Sequence, residues 1–111
     1  MHRPGANHLD RRRRLLPRSY FERHDDFGIT PNARRIVPDA GDRASAEVAW
    51  LQHELVLEWR RRRCRPSGAA IGREFGFSKQ VWSRVVTGHR WMGETVAVVL
   101  IKVLRTPQRR A

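Results

Sequence analysis

Two short helices separated by a very tight turn constrain this chain more than any other feature. Between Ser67 and Gly88 the sequence reads SGAAIGREFGFSKQVWSRVVTG. Ser67 is suited to cap a helix, Gly76 to end it in a left-handed conformation, and Ser78 to cap a second helix after only two or three residues. Helices joined so closely must cross steeply. The crossing is expected to bury Ile71 and Phe75 from the first helix and Trp82 and Val85 from the second, with Gly72 permitting close approach. The outward face of the second helix is then Lys79, Gln80, Ser83, Arg84 and Thr87. It is rich in hydrogen-bond donors and has no acid, which suits the base edges of a major groove.

The flanks supply the framework. Before the motif, Ser45 is placed to cap a helix, Glu47 lies in its first turn, and Val48, Leu51, Leu55 and Trp59 recur at helical spacing. This predicts an amphipathic helix over about 45–63, closed by Arg60 to Arg63 at the negative end of its dipole and stopped by Pro66. After the motif, His89 reads as a turn residue, and Trp91 and Met92 as lids on the core. Val96 to Ile101 is rich in β-formers and reads either as a short strand or as part of a helix over 93–105. Gly93 and Glu94 suit a helix start and Thr106-Pro107 a stop, so helix is the expectation, with Ala97, Leu100, Ile101 and Leu104 as its core stripe. Val96, Val99 and Val103 then form a second apolar face, expected to mediate a homodimer through this C-terminal helix.

Residues 1–43 show no regular apolar period. They carry the run Arg11, Arg12, Arg13 and Arg14 with scattered Pro and Gly, and read as a basic, largely disordered arm. Tyr20, Phe21, Phe27 and Ile29 are the exception, either docking on the domain or a protein partner, or standing as isolated apolar residues in a tail. The expected architecture is therefore all-α. A helical domain of four to five helices over 44–106 contains the helix-turn-helix, between the arm and a basic tail at 107–111.

The 111 residues suffice for one domain. Lys and Arg number 23 against 11 acids, a net charge of +12, so a polyanionic partner is the first class to consider. Arg outnumbers Lys 21 to 2, which favours bidentate contact with phosphate and guanine, although codon bias in a GC-rich genome accounts for much of it. The single cysteine, Cys64, has no partner for a disulfide or a zinc site, which points to the reducing cytoplasm. The N-terminus lacks a signal-peptide apolar stretch, and Val96 to Ile101 is too short to span a bilayer, so no membrane association is expected. No carboxylate pair, Gly-rich phosphate loop or convergent His set suggests catalysis, a metal or a cofactor.

The segment resembles the Cro/C1-type (Xre-like) helix-turn-helix family of repressors. The resemblance rests on Ile71-Gly72, Gly76-Phe77-Ser78, Trp82-Ser83-Arg84-Val85 and Gly88-His89-Arg90, followed by Glu94-Thr95 with Ala97, Leu100, Ile101 and Leu104. It covers about residues 45–105. Three positions depart from the family pattern: Gly72 replaces the usual Ala, Trp82 a smaller Ile or Val, and Gly68 a frequent Gln. The resemblance implies base-edge contacts by Lys79, Gln80, Ser83 and Arg84, and phosphate contacts by Ser67, Ser78, Thr87, His89 and Arg90. It further implies a transcriptional regulator of double-stranded DNA. Two other readings stand beside it: a nonspecific DNA- or RNA-binding protein, favoured by charge alone, and an antitoxin or phage accessory protein whose arm takes a protein partner.

Overall fold

The structure is a computed structural model that describes residues 15–62 and 65–105, without the side chains of Phe75 and Val103. The readings placed on Arg11, Arg12, Arg13, Arg14, Arg63, Cys64, the tail 107–111 and those two side chains lie outside the described residues. Within the described residues four α-helices follow in order: α1 (Arg43–Arg61), α2 (Gly68–Phe75), α3 (Lys79–Thr87) and α4 (Glu94–Arg105). No strand occurs among the described residues, only an isolated antiparallel bridge between Phe21 and Arg35. The all-α expectation holds, and the ambiguous Val96 to Ile101 segment is helical.

Helix α1 starts earlier and buries a different face than its apolar period suggests. Asp42 occupies its N-cap position, so Ser45 lies inside the helix rather than capping it. The buried face is Ala46, Ala49, Gln52, His53, Val56, Leu57 and Trp59, whereas Val48 and Leu51 remain 53% and 52% exposed. Two polar residues displace the expected stripe because their side chains satisfy backbone groups of neighbouring segments. Gly28 N–H donates to His53 Nδ1 at 2.7 Å. Gln52 bonds across the fold to the end of α3 and the loop after it.

The segment before α1 corrects the reading of residues 1–43 as a disordered arm. From Leu15 onward it is packed. Short 3-10 turns at Pro17–Tyr20, His24–Asp26 and Ala40–Asp42 have no helical period, so no amphipathic signal marks them. Order comes instead from pairing across a loop: Glu22 N–H donates to Arg34 O at 2.9 Å and Ile36 N–H to Tyr20 O at 3.1 Å. Tyr20, Phe21, Phe27 and Ala33 join the same core as α1, α3 and α4. Phe21 stacks on Trp50 with ring centroids 5.9 Å apart and meets Phe27 edge-on at 5.6 Å, the arrangements aromatic pairs prefer. Ile29, read as part of that cluster, stays 60% exposed.

Helix α4 packs on α1 and uses its valines to do so. Val96 is 9% and Val99 4% exposed, and Leu100 is fully buried, while Ala97, Ile101 and Leu104 are only partly covered. The proposed dimer stripe of Val96 and Val99 is thus core, and Val103 adds no described side chain to it. The helix packs on α1 through these valines, which is why the surplus apolar face is only apparent.

Candidate nucleic-acid interface

The turn between α2 and α3 is built as its residues dictate. Ser67 Oγ accepts from Ala70 N at 3.1 Å and Ser78 Oγ from Val81 N at 3.2 Å, so both helices begin on serine caps. Gly76 ends α2 at φ 75°, a left-handed conformation that residues with a Cβ rarely adopt, and its N–H returns to Gly72 O at 2.7 Å. Gly72 is required for a different reason from the one expected. A Cβ there would run into the carbonyl oxygen of Phe77 within the turn, not into the crossing helix. Contact with the crossing helix belongs to Gly68, whose Cα lies against the indole of Trp82.

The crossing buries Ile71, Trp82 and Val85, and Val86 joins them. Trp82 meets Trp59 of α1 edge-on at 5.1 Å, and the Trp59 indole N–H donates to Pro66 O at 3.1 Å, which fixes the α1–α2 connection. With that face buried, Lys79, Gln80, Ser83 and Arg84 are exposed on α3, and the helix has no acid in its first turn or along its length. Ser67, Ser78 and Arg90 are exposed as well. A serine hydroxyl that accepts at a cap keeps its own hydrogen to donate, so capping does not remove Ser67 or Ser78 from phosphate contact.

Thr87 and His89 are exposed but engaged within the protein. One consistent chain of donors runs through them. Thr87 Oγ1 donates to Ser83 O at 3.0 Å, His89 Nδ1 lies 2.7 Å from that hydroxyl, and Arg18 donates to His89 Nε2 at 2.6 Å. The other terminal nitrogen of Arg18 donates to Asp25 Oδ1 at 2.9 Å. In this arrangement Nδ1–H faces the Thr87 hydroxyl and Nε2 faces the Arg18 guanidinium, roles assigned from the hydrogen-bond network. Arg18 N–H also donates to Gly88 O at 3.1 Å, so the segment before α1 grips the end of α3.

Gln52 is the second brace on α3. Buried in α1, its amide donates to Val85 O and Arg90 O, each at 3.0 Å, and its Oε1 accepts from Met92 N at 2.8 Å. These bonds hold the last turn of α3 and the loop after it at a set distance from α1. Sequence reading missed Gln52 and Arg18. Gln52 had a usable signal, a long amide with apolar Ala49 and Val56 on the same helical face, whereas Arg18 had none because its partners are 7 and 71 residues away.

No group of three metal-ligating side chains occurs among the described residues, and no helix there is long and apolar enough to cross a membrane. Comparisons with protein-family models, with curated proteins and with solved structures find no match for this chain.

Proposed function

We propose that this protein binds double-stranded DNA by laying α3 in the major groove, and that it acts as a small Cro/C1-like transcriptional regulator rather than as an enzyme. The observation that carries this reading is the pairing of an exposed, acid-free row of Lys79, Gln80, Ser83 and Arg84 with a helix braced at its far end by Gln52 and Arg18. Rigid presentation matters because base readout requires side chains to meet fixed donor and acceptor positions. Arg or Lys matches guanine O6 and N7, and Gln matches adenine N6 and N7. Ser67, Ser78 and Arg90 flank this row as phosphate contacts. The four positive charges of Arg11 to Arg14 add electrostatic affinity for phosphate.

Site selection from random duplexes, followed by salt titrations on the selected and a scrambled duplex, tests the reading. Gln80→Ala and Arg84→Ala should each weaken the selected site by about 1–3 kcal/mol and relax discrimination at one base pair, with nonspecific binding nearly unchanged. Arg90→Ala should weaken both duplexes and reduce the salt slope by about one unit. The net charge of +12 favours a second reading, a nonspecific nucleic-acid binder. That reading replaces the first if Gln80→Ala and Arg84→Ala weaken both duplexes equally.

A further inference from the structure

A cleft of about 250 Å³ opens where the segment before α1 meets the ends of α1 and α3. Its floor is apolar, formed by buried Phe27 and Val86, and its walls carry Arg18, Arg60, His24 and His89. The two guanidiniums are unequally served. Arg18, with a side chain only 17% exposed, is paired with Asp25, whose carboxylate is 95% exposed. Arg60 is half-buried, and its Nε is buried with no hydrogen-bond partner. Burial, and then the nearby charge of Arg65, push the Arg60 guanidinium below its usual range. A partly buried guanidinium with an unpaired Nε–H is costly, and an anion on its remaining donors in the cleft would relieve it.

We propose that this cleft is a phosphate-class oxyanion site, in which the ligand bridges Arg18 and Arg60. An apolar floor lowers the local dielectric and so strengthens charge-assisted bonds. Asp25 marks the position on Arg18 that the ligand takes, since an almost fully exposed carboxylate on a mostly buried guanidinium is easily displaced. Planar donor forks suit a tetrahedral oxyanion with several acceptor oxygens. The ligand phosphate comes either from a DNA backbone flanking α3 or from a free phosphate or phosphomonoester. The site itself stands independently of the DNA reading, because inorganic phosphate is sufficient to probe it.

The test is an NMR titration of the full chain with inorganic phosphate replacing chloride at constant ionic strength. Ring signals of His24 and His89 and the Nε–H of Arg60 should shift saturably. Arg60→Gln and Arg18→Gln should each weaken binding about tenfold or more, the scale of one charge-assisted hydrogen bond removed. Asp25→Asn should tighten it several-fold, while Glu94→Gln, an acid outside the cleft, leaves it unchanged. Because Asp25 is exposed and its replacement acts in the opposite direction, loss of folding in Arg18→Gln cannot account for the pattern. Repeating the titration with a short duplex present separates the two sources. Competition assigns the site to a backbone phosphate, and simultaneous binding to a free one. Shifts that rise linearly without saturation, or equal affinities for the wild type, Arg60→Gln and Asp25→Asn, would overturn the proposal.

Discussion

The Cα of Gly68 lies against the indole of Trp82, leaving no room for a Cβ. The large ring occupies the space that a side chain at position 68 would take. Gly→Ala near a helix start ordinarily stabilises, by about 0.4–1 kcal/mol. Here Gly68→Ala should instead destabilise by about 1–3 kcal/mol, the range for overpacking. In a double-mutant cycle with Trp82→Leu, measured by urea unfolding, the two should couple by about 1 kcal/mol or more. Additive effects would show that the contact is not what selects glycine.

Gln52 satisfies two carbonyls and one amide that no other side chain reaches among the described residues. Replacing it with Leu keeps volume but strips the Met92 N–H and the part-buried Arg90 carbonyl of these bonds, while Val85 O keeps only the Gly88 N–H, at an expected total of about 1–3 kcal/mol. Because the bonds position the end of α3, the DNA affinity proposed above should also fall in the folded variant, more at the selected site than on a scrambled duplex. Chemical denaturation and binding assays read the two effects separately, and unchanged stability would contradict the brace.

The N-terminal segment makes two opposite expectations. Phe21→Ala should cost about 3–5 kcal/mol, as for a fully buried aromatic, and calorimetry checks it. Deleting residues 2–14 should instead lower DNA affinity uniformly and flatten the salt slope by about 0.9 for each phosphate that the run no longer neutralises, with site preference retained. A change of preferred sequence on that deletion would assign the basic run a role in readout.

Stability should fall on mild acidification through His53. Burial holds its pKa below the ordinary value near 6.5, against the opposing pull of Glu54, the Thr30 backbone and Asp26. Its Nδ1 accepts from Gly28, so a proton there would set two donors face to face. The unfolded chain then binds the proton first. Stability is unaffected well above pH 6.5 and falls as pH drops below it, by at most about 1.4 kcal/mol per unit, levelling off once the folded pKa is passed. In His53→Asn, whose Oδ1 can accept from Gly28, this component should vanish from urea midpoints measured between pH 7.5 and 5. A profile identical to the wild type would place the dependence on other groups.

Local chemistry wrote the α2–turn–α3 unit plainly into the sequence. Serine caps, a left-handed glycine and the alternation of apolar with donor-bearing residues each act within a few positions, so Ser67, Gly76, Ser78 and the exposed row from Lys79 to Arg84 are legible without a fold. What lies against those helices was decided only in three dimensions. Phe21, Arg18 and Phe27 belong to a segment ordered by pairings across a loop and by ring packing, neither of which leaves a period to read. Packing of α4 on α1 turns Val96 and Val99 from a supposed dimer face into core, and the rings of Phe21 and Phe27 meet His53, so that Gln52 and His53 go inside while Val48 and Leu51 stay out. Polar side chains can win such places when specific backbone donors and acceptors await them, and that complement exists only once the distant segments have come together.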